Sequence, residues 1–301
     1  MKTEFQFVER LDEAMIDELL TRCREKNSAA GMLVLLPEDL RDMVPKLQRC
    51  AISTGVRLVG AIFPELIFGS EFRRDGILLI EFASMPDYIL SASLNEEHGK
   101  KMAVQALSLM VEKLPKVSSL LMFFDGMLGN ISSILDDIYY ELGDRCHYVG
   151  LCAGSESFQP MPCVFDRDNL FENGLLGIGL PLHSGAVLNH SYNIPPETLT
   201  ASATTNNRIT QIDWRPAFEK YAELIQSTYG VTVTRENFYS MGVHFPFALH
   251  RISGEMLIRI PVAVDDEGAL FCVGEVPEGA LLNVAQAIPP GSTEAVSKLV
   301  A

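Results

Sequence analysis

The chain has little positive charge, one tryptophan and no long apolar run. Against 39 Asp and Glu stand 24 Lys and Arg, a formal net charge of -15 at pH 7 over 301 residues. Nucleic acids and anionic membranes are bound through clustered basic residues that displace counterions, so this balance excludes both as expected partners. Apolar runs such as Gly31 to Leu36 and Gly76 to Ile80 fall far short of the ~20 residues of a membrane helix. Met1 to Glu18 is mixed and charged, without a leader pattern, and a cytoplasmic protein is the expectation. Phosphate-cradling loops of the G-x-x-x-x-G-K-[ST] and G-x-G-x-x-G kinds are missing, as is the G-x-S-x-G nucleophile turn. The six cysteines make no C-x-x-C pair and no zinc-finger spacing with histidine, so reduced, buried thiols are expected.

What is present is a series of apolar runs that break at glycine, proline or aspartate. Asp12 to Lys26 carries Met15, Ile16, Leu19, Leu20 and Cys23 at helical spacing, and the strand-like run Met32 to Leu36 follows. Pro45 opens a short helix through Ala51, Thr54-Gly55 closes it, and strands Arg57 to Phe63 and Gly76 to Phe82 come next. Ala103, Leu107, Met110 and Leu114 form one face of a helix, stopped by Pro115, before the strand Leu120 to Phe124. Asn130 caps a helix with Ile131, Ile134, Leu135, Ile138 and Leu142 inside, ended by Gly143 ahead of the strand His147 to Leu151. Beyond Gly154 come short strand candidates: Leu175 to Leu180, Ala186 to His190, Thr198 to Thr205 and Arg208 to Ile212. A helix from Arg215 to about Ser227 precedes the runs Leu257 to Val264, Ala269 to Glu275 and Leu281 to Ala285. The pattern predicts an α/β (α+β) protein in two parts, with mixed sheets flanked by helices and a sheet-rich C-terminal half. Pro195-Pro196 marks the expected boundary, giving domains 1–194 and 195–301.

Asp125-Gly126 and Gly150 to Ser155 fall at predicted C-terminal strand ends, where open sheets bind ligands. Asp125 would accept from an amine or hydroxyl, and Ser155 and the Gly154 amide would donate to a carboxylate, which suits an amino-acid-like ligand. Alternatively these are tight turns, with Asp125 bonded to nearby amides. Cys152 and Cys163 flank the same turn region, and the candidate ligand-binding set is Asp125, Gly126, Gly150, Cys152, Gly154, Ser155 and Cys163, with Trp214 and Arg251. Trp214 reads either as an inter-domain wedge or as a stacking residue, and Arg251 as a partner for a ligand carboxylate or for an acidic side chain. A thiol hydrolase using Cys152 or Cys163 with His147 is the enzymatic alternative, and a ligand-free adaptor is a third. No catalytic set is assigned, and His244 with His250 does not have metal-pair spacing.

Taken in order, Val59 to Leu66, Gly76 to Glu81, Leu121 to Gly126, Tyr148 to Ser155 and Pro162 to Phe165 resemble the N-terminal half of the FIST family (F-box and intracellular signal transduction). Thr198 to Trp214 with Arg215 to Phe218 resembles its hinge. Phe245 to Ala248, Pro261-Val262 and Asp266 to Gly279 resemble the start of its C-terminal half, which is expected to be short or truncated here. The resemblance implies a small-ligand sensor in signal transduction, regulating a separately encoded partner such as a histidine kinase or a diguanylate cyclase. One branch of the family is similar to haem-binding nitric oxide sensors. It implies haem as a possible cofactor and His190 as its ligand, at a position where relatives have histidine followed by glycine and this chain has Ser191.

Overall fold

In a computed structural model, residues 3–10, 12–115, 118–183, 190, 192–251 and 256–288 are described. The chain forms two compact units, the first from residues up to 128 and from 133 to 183, the second from the remainder. The strand candidate Ala186 to His190 falls outside the described residues except for His190 itself.

The first unit contains strands β1 (Thr3–Val8), β2 (Gly31–Pro37), β3 (Arg57–Phe63), β4 (Leu66–Phe68), β5 (Glu71–Arg73), β6 (Ile77–Phe82), β7 (Tyr88–Ser91), β8 (Ser119–Asp125), β9 (His147–Ala153), β10 (Val164–Asp166), β11 (Leu170–Phe171) and β12 (Leu175–Leu180). Its helices are α1 (Glu13–Lys26), α2 (Val44–Thr54), α3 (Glu97–Val111) and α4 (Ile131–Leu142). One sheet runs β1-β6-β2-β3-β10-β11 and a second β7-β12-β8-β9, while β4 and β5 form a separate hairpin. Among the described residues, only β2 with β3 and β8 with β9 are parallel. One apolar core spans both sheets, joining Leu33, Val59 and Phe165 with Phe123, Leu176 and Ile178. The apolar stripe of α1, Ile16, Leu19, Leu20 and Cys23, is buried against the first sheet. Asp12 caps that helix by accepting from the Met15 amide at 2.9 Å. Gly55 ends α2 in the left-handed region at φ 70°, which lets the chain drop directly into β3.

The second unit is an antiparallel sheet in the order 256–259, 247–250, 281–284, 199–205, 208–212, 270–272, 261–264. The run Leu257 to Val264, expected as one strand, is two. Met256–Arg259 and Pro261–Val264 lie at the two edges of the sheet and are separated in sequence by Ile260 alone, so the sheet curls until its edges meet at that corner. Pro261 has no N–H to continue the first ladder, which accounts for the break. The helix Ala217–Tyr229 packs against this sheet through Tyr221, Leu224 and Ile225. Tyr221 is fully buried and donates its hydroxyl to the Phe245 carbonyl at 2.7 Å. Among the described residues no helix is long and apolar enough to cross a membrane.

Candidate functional site

The two parallel pairs of the first unit, β2 with β3 and β8 with β9, have their C-terminal ends linked by backbone hydrogen bonds from one sheet to the other. Ile62 near the end of β3 donates to the Cys163 carbonyl and accepts from the Gly154 amide, both at 2.8 Å. The Gly126 amide, just past β8, donates to Ala153 at the end of β9 at 2.8 Å. Asp125, Gly126, Gly154, Ser155 and Cys163 are therefore one neighbourhood, built by elements far apart in sequence.

Asp125 is 1% exposed and turned inward. Its Oδ1 accepts from the Met127 amide at 2.9 Å and its Oδ2 from the Asn173 amide at 2.7 Å, so the carboxylate ties the end of β8 to the turn before β12. The Cys163 thiol lies against this carboxylate. Burial, and then the Asp125 charge, push it well above the ordinary thiol range, leaving a neutral and weakly nucleophilic sulfur. Cys152 is exposed and forms no disulfide. Gly150 is exposed on β9, where a Cβ would press on the Met122 carbonyl at 3.1 Å.

Ser155, 8% exposed, is the centre of a polar cluster. Its hydroxyl donates to Glu38 Oε1 at 2.8 Å, lies 2.8 Å from the Ser157 hydroxyl, and accepts from the Ser157 amide at 3.1 Å. The Glu156 amide donates to Glu38 Oε2 at 3.1 Å. Glu38 comes from the short 3-10 turn Glu38–Met43 directly after β2. The loop it holds is bounded by left-handed residues, Gly154 at φ 134° and Phe158 at φ 53°. Only glycine adopts the former without strain, and the space beside Gly154 is open. Glu38 and Ser157 were not singled out from the sequence. The signal for Glu38, a strand run ending in Pro37, was present, but nothing local shows that a loop more than a hundred residues away needs its carboxylate.

The remaining candidates lie elsewhere. His147 opens β9 and Cys152 nears its end, so five residues of strand, about 16 Å, separate them, and His147 stacks instead on His183 at 3.7 Å between ring centroids. The thiol–imidazole pair of the hydrolase alternative is not assembled. In the second unit, Asp213 and Trp214 form a two-residue hairpin turn at φ 49° and 60°. Asp213 exchanges backbone and side-chain bonds with Thr200, and the Trp214 amide donates to Ser202 Oγ at 2.8 Å. These bonds hold Trp214 in a conformation costly for a bulky residue, with its side chain 76% exposed rather than wedged into a core. Arg251 is exposed and makes no ion pair among the described residues. His190 Nδ1 is buried and has no hydrogen-bond partner among the described residues, and its ring is 6.1 Å from that of Tyr192. Among the described residues, no three His, Cys, Asp or Glu side chains group to hold a metal ion.

Comparison with family models matches residues 32–215 to the FIST N domain and residues 217–301 to the FIST C domain. No curated protein and no solved structure matches the chain.

Proposed function

The chain belongs to the FIST family, whose domains are small-ligand sensors of signal transduction, and from that premise we propose that it senses an amino-acid-like ligand at the strand-end cluster of its first unit. The observation that carries this reading is the Ser155–Glu38 pair holding the loop between Gly154 and Phe158. An ammonium group can take the place of Ser155 on the Glu38 carboxylate, and a carboxylate can accept from the hydroxyls of Ser155 and Ser157 so released. The exchange swaps internal bonds for ligand bonds and frees a loop whose far end, Phe158, is held in the left-handed region at φ 53°. A ligand shifts that equilibrium only by its differential affinity for the two loop states, and the swap supplies that difference. In this reading the output passes to a separately encoded partner in the cytoplasm, a histidine kinase or a diguanylate cyclase, as the family resemblance implies. Thermal-shift measurements with a panel of free amino acids test the site. At least one is expected to raise the melting temperature of the wild type and not of Ser155→Ala, and a flat response across the panel refutes the reading.

A second reading, a haem-based nitric oxide sensor, is favoured by His190. Its buried Nδ1 without a partner is a feature expected of an imidazole awaiting a ligand or donor. His190 would be the residue that holds the haem iron, and haem, when bound, would supply the iron that takes the gas. Titration with haemin tests it: a Soret band lost in His190→Ala supports the reading, and an unchanged band in that variant refutes it.

A further inference from the structure

We propose that a cleft between α1 and strands β1, β6 and β2 is a second ligand site, which takes an organic monocarboxylate with an apolar body. The cleft has a volume of about 300 Å³, within the range of small-molecule sites. Its floor is Leu19 of α1 with Met32 and Leu79 of the sheet, and the same three side chains continue into a wholly apolar seam toward Ile16 and Leu47. Its rim is charged, and the register explains how. Glu4 and Glu81 are direct cross-strand partners, an arrangement that is repulsive by itself. Lys26, at the end of α1, reconciles them at 3.1 and 3.0 Å and is thereby saturated. Arg22, one turn earlier on the same helix face, also lines the cleft and makes no ion pair among the described residues.

The rim thus offers one open guanidinium fork on α1 beside an apolar floor, with two carboxylates on strands β1 and β6. A single carboxylate on Arg22 is favoured by charge-assisted, bidentate hydrogen bonding. A second carboxylate on the ligand would face Glu4 and Glu81, so dicarboxylates are rejected. An amine would meet Arg22 unfavourably and find the acidic pair already occupied by Lys26. This site is independent of the strand-end cluster: Met32 and Glu38 are six residues apart along β2, about 20 Å.

Isothermal titration calorimetry on the full chain, with octanoate, octanedioate and octylamine as probes, tests the proposal. Octanoate is expected to bind, and the other two to bind at least about tenfold more weakly, the scale of one charged hydrogen bond. Arg22→Gln, an exposed helix position, should weaken octanoate by a similar factor without altering the circular dichroism spectrum, while Ser155→Ala leaves octanoate binding unchanged. Absence of octanoate binding at millimolar concentration, equal binding of octylamine, an Arg22→Gln variant that binds as wild type, or loss of binding in Ser155→Ala would each overturn it.

Discussion

Removing the Glu38 carboxylate isolates the contribution of the strand-end cluster. In Glu38→Ala the Ser155 hydroxyl and the Glu156 amide lose their acceptor, two bonds of 2.8 and 3.1 Å to a charged group. Hydrogen bonds to charged groups contribute about 1.5–3 kcal/mol each when buried. The Glu38 side chain retains 24% of its exposure, so water recovers part of the loss, and Ser155 keeps its contact with Ser157. The expected cost is about 1–2 kcal/mol, which lowers the melting temperature by roughly 2–8 °C for a domain of this size. The assay is urea unfolding of Glu38→Ala, Ser155→Ala and the double variant. If the two side chains act through each other, the cycle gives a coupling energy of about 0.5 kcal/mol or more. Additive effects, or a Glu38→Ala midpoint equal to wild type, would refute the claim that this pair fastens the loop.

Three other outcomes are expected. Gly60→Ala should destabilise the first unit by at least about 3 kcal/mol, because the new methyl meets the Phe165 ring and the Val34 carbonyl closer than any Cβ tolerates; equilibrium unfolding measures it. Iodoacetamide with mass mapping should label the exposed Cys152 in the native protein and leave Cys163 unlabelled until denaturant is added; native labelling of Cys163 would contradict its burial beside Asp125. Burial raises the Cys23 thiol to about 11 and the Cys272 thiol to about 12 from an ordinary 9.0. A raised folded-state value means the contribution is complete below the unfolded-state value and is lost as pH climbs through the folded one, so stability should fall from about pH 9 toward 12; a flat profile of denaturation midpoints over that window would show these thiols to be solvated.

Much of the first unit was legible because chain punctuation and burial coincide. Gly55 in the left-handed region and Pro64 bracket an apolar run, and β3 occupies the expected residues Arg57 to Phe63. The helix of Ile134, Ile138 and Leu142 likewise followed from its 3.6-residue period. β1 was missed because it carries no inward apolar alternation: Thr3 to Gln6 are all exposed, Phe5 at 74%, and only Val8 at its end is buried. At the site, the sequence located the turns at Asp125 and Gly154 but not their bonding, since the partners Asn173, Ile62 and Glu38 are non-local. Trp214 was conspicuous by its rarity, yet its positive φ depends on a hairpin register that no local pattern announces.

The corner at Ile260 has a consequence for the order in which the second unit acquires its structure. Because the strands on either side of that residue form opposite edges, the curl closes only when the intervening strands are in place, and one of these joins Leu199 to Leu282, more than eighty residues later. Such pairings carry a high loop-closure cost and are slow to form. During synthesis the second unit must therefore wait for the Leu281–Val284 segment to leave the ribosome, while every local contact needed by α1, α2 and the β2–β3 pair has long been available. The two units are built to mature in sequence, the first early and the second late.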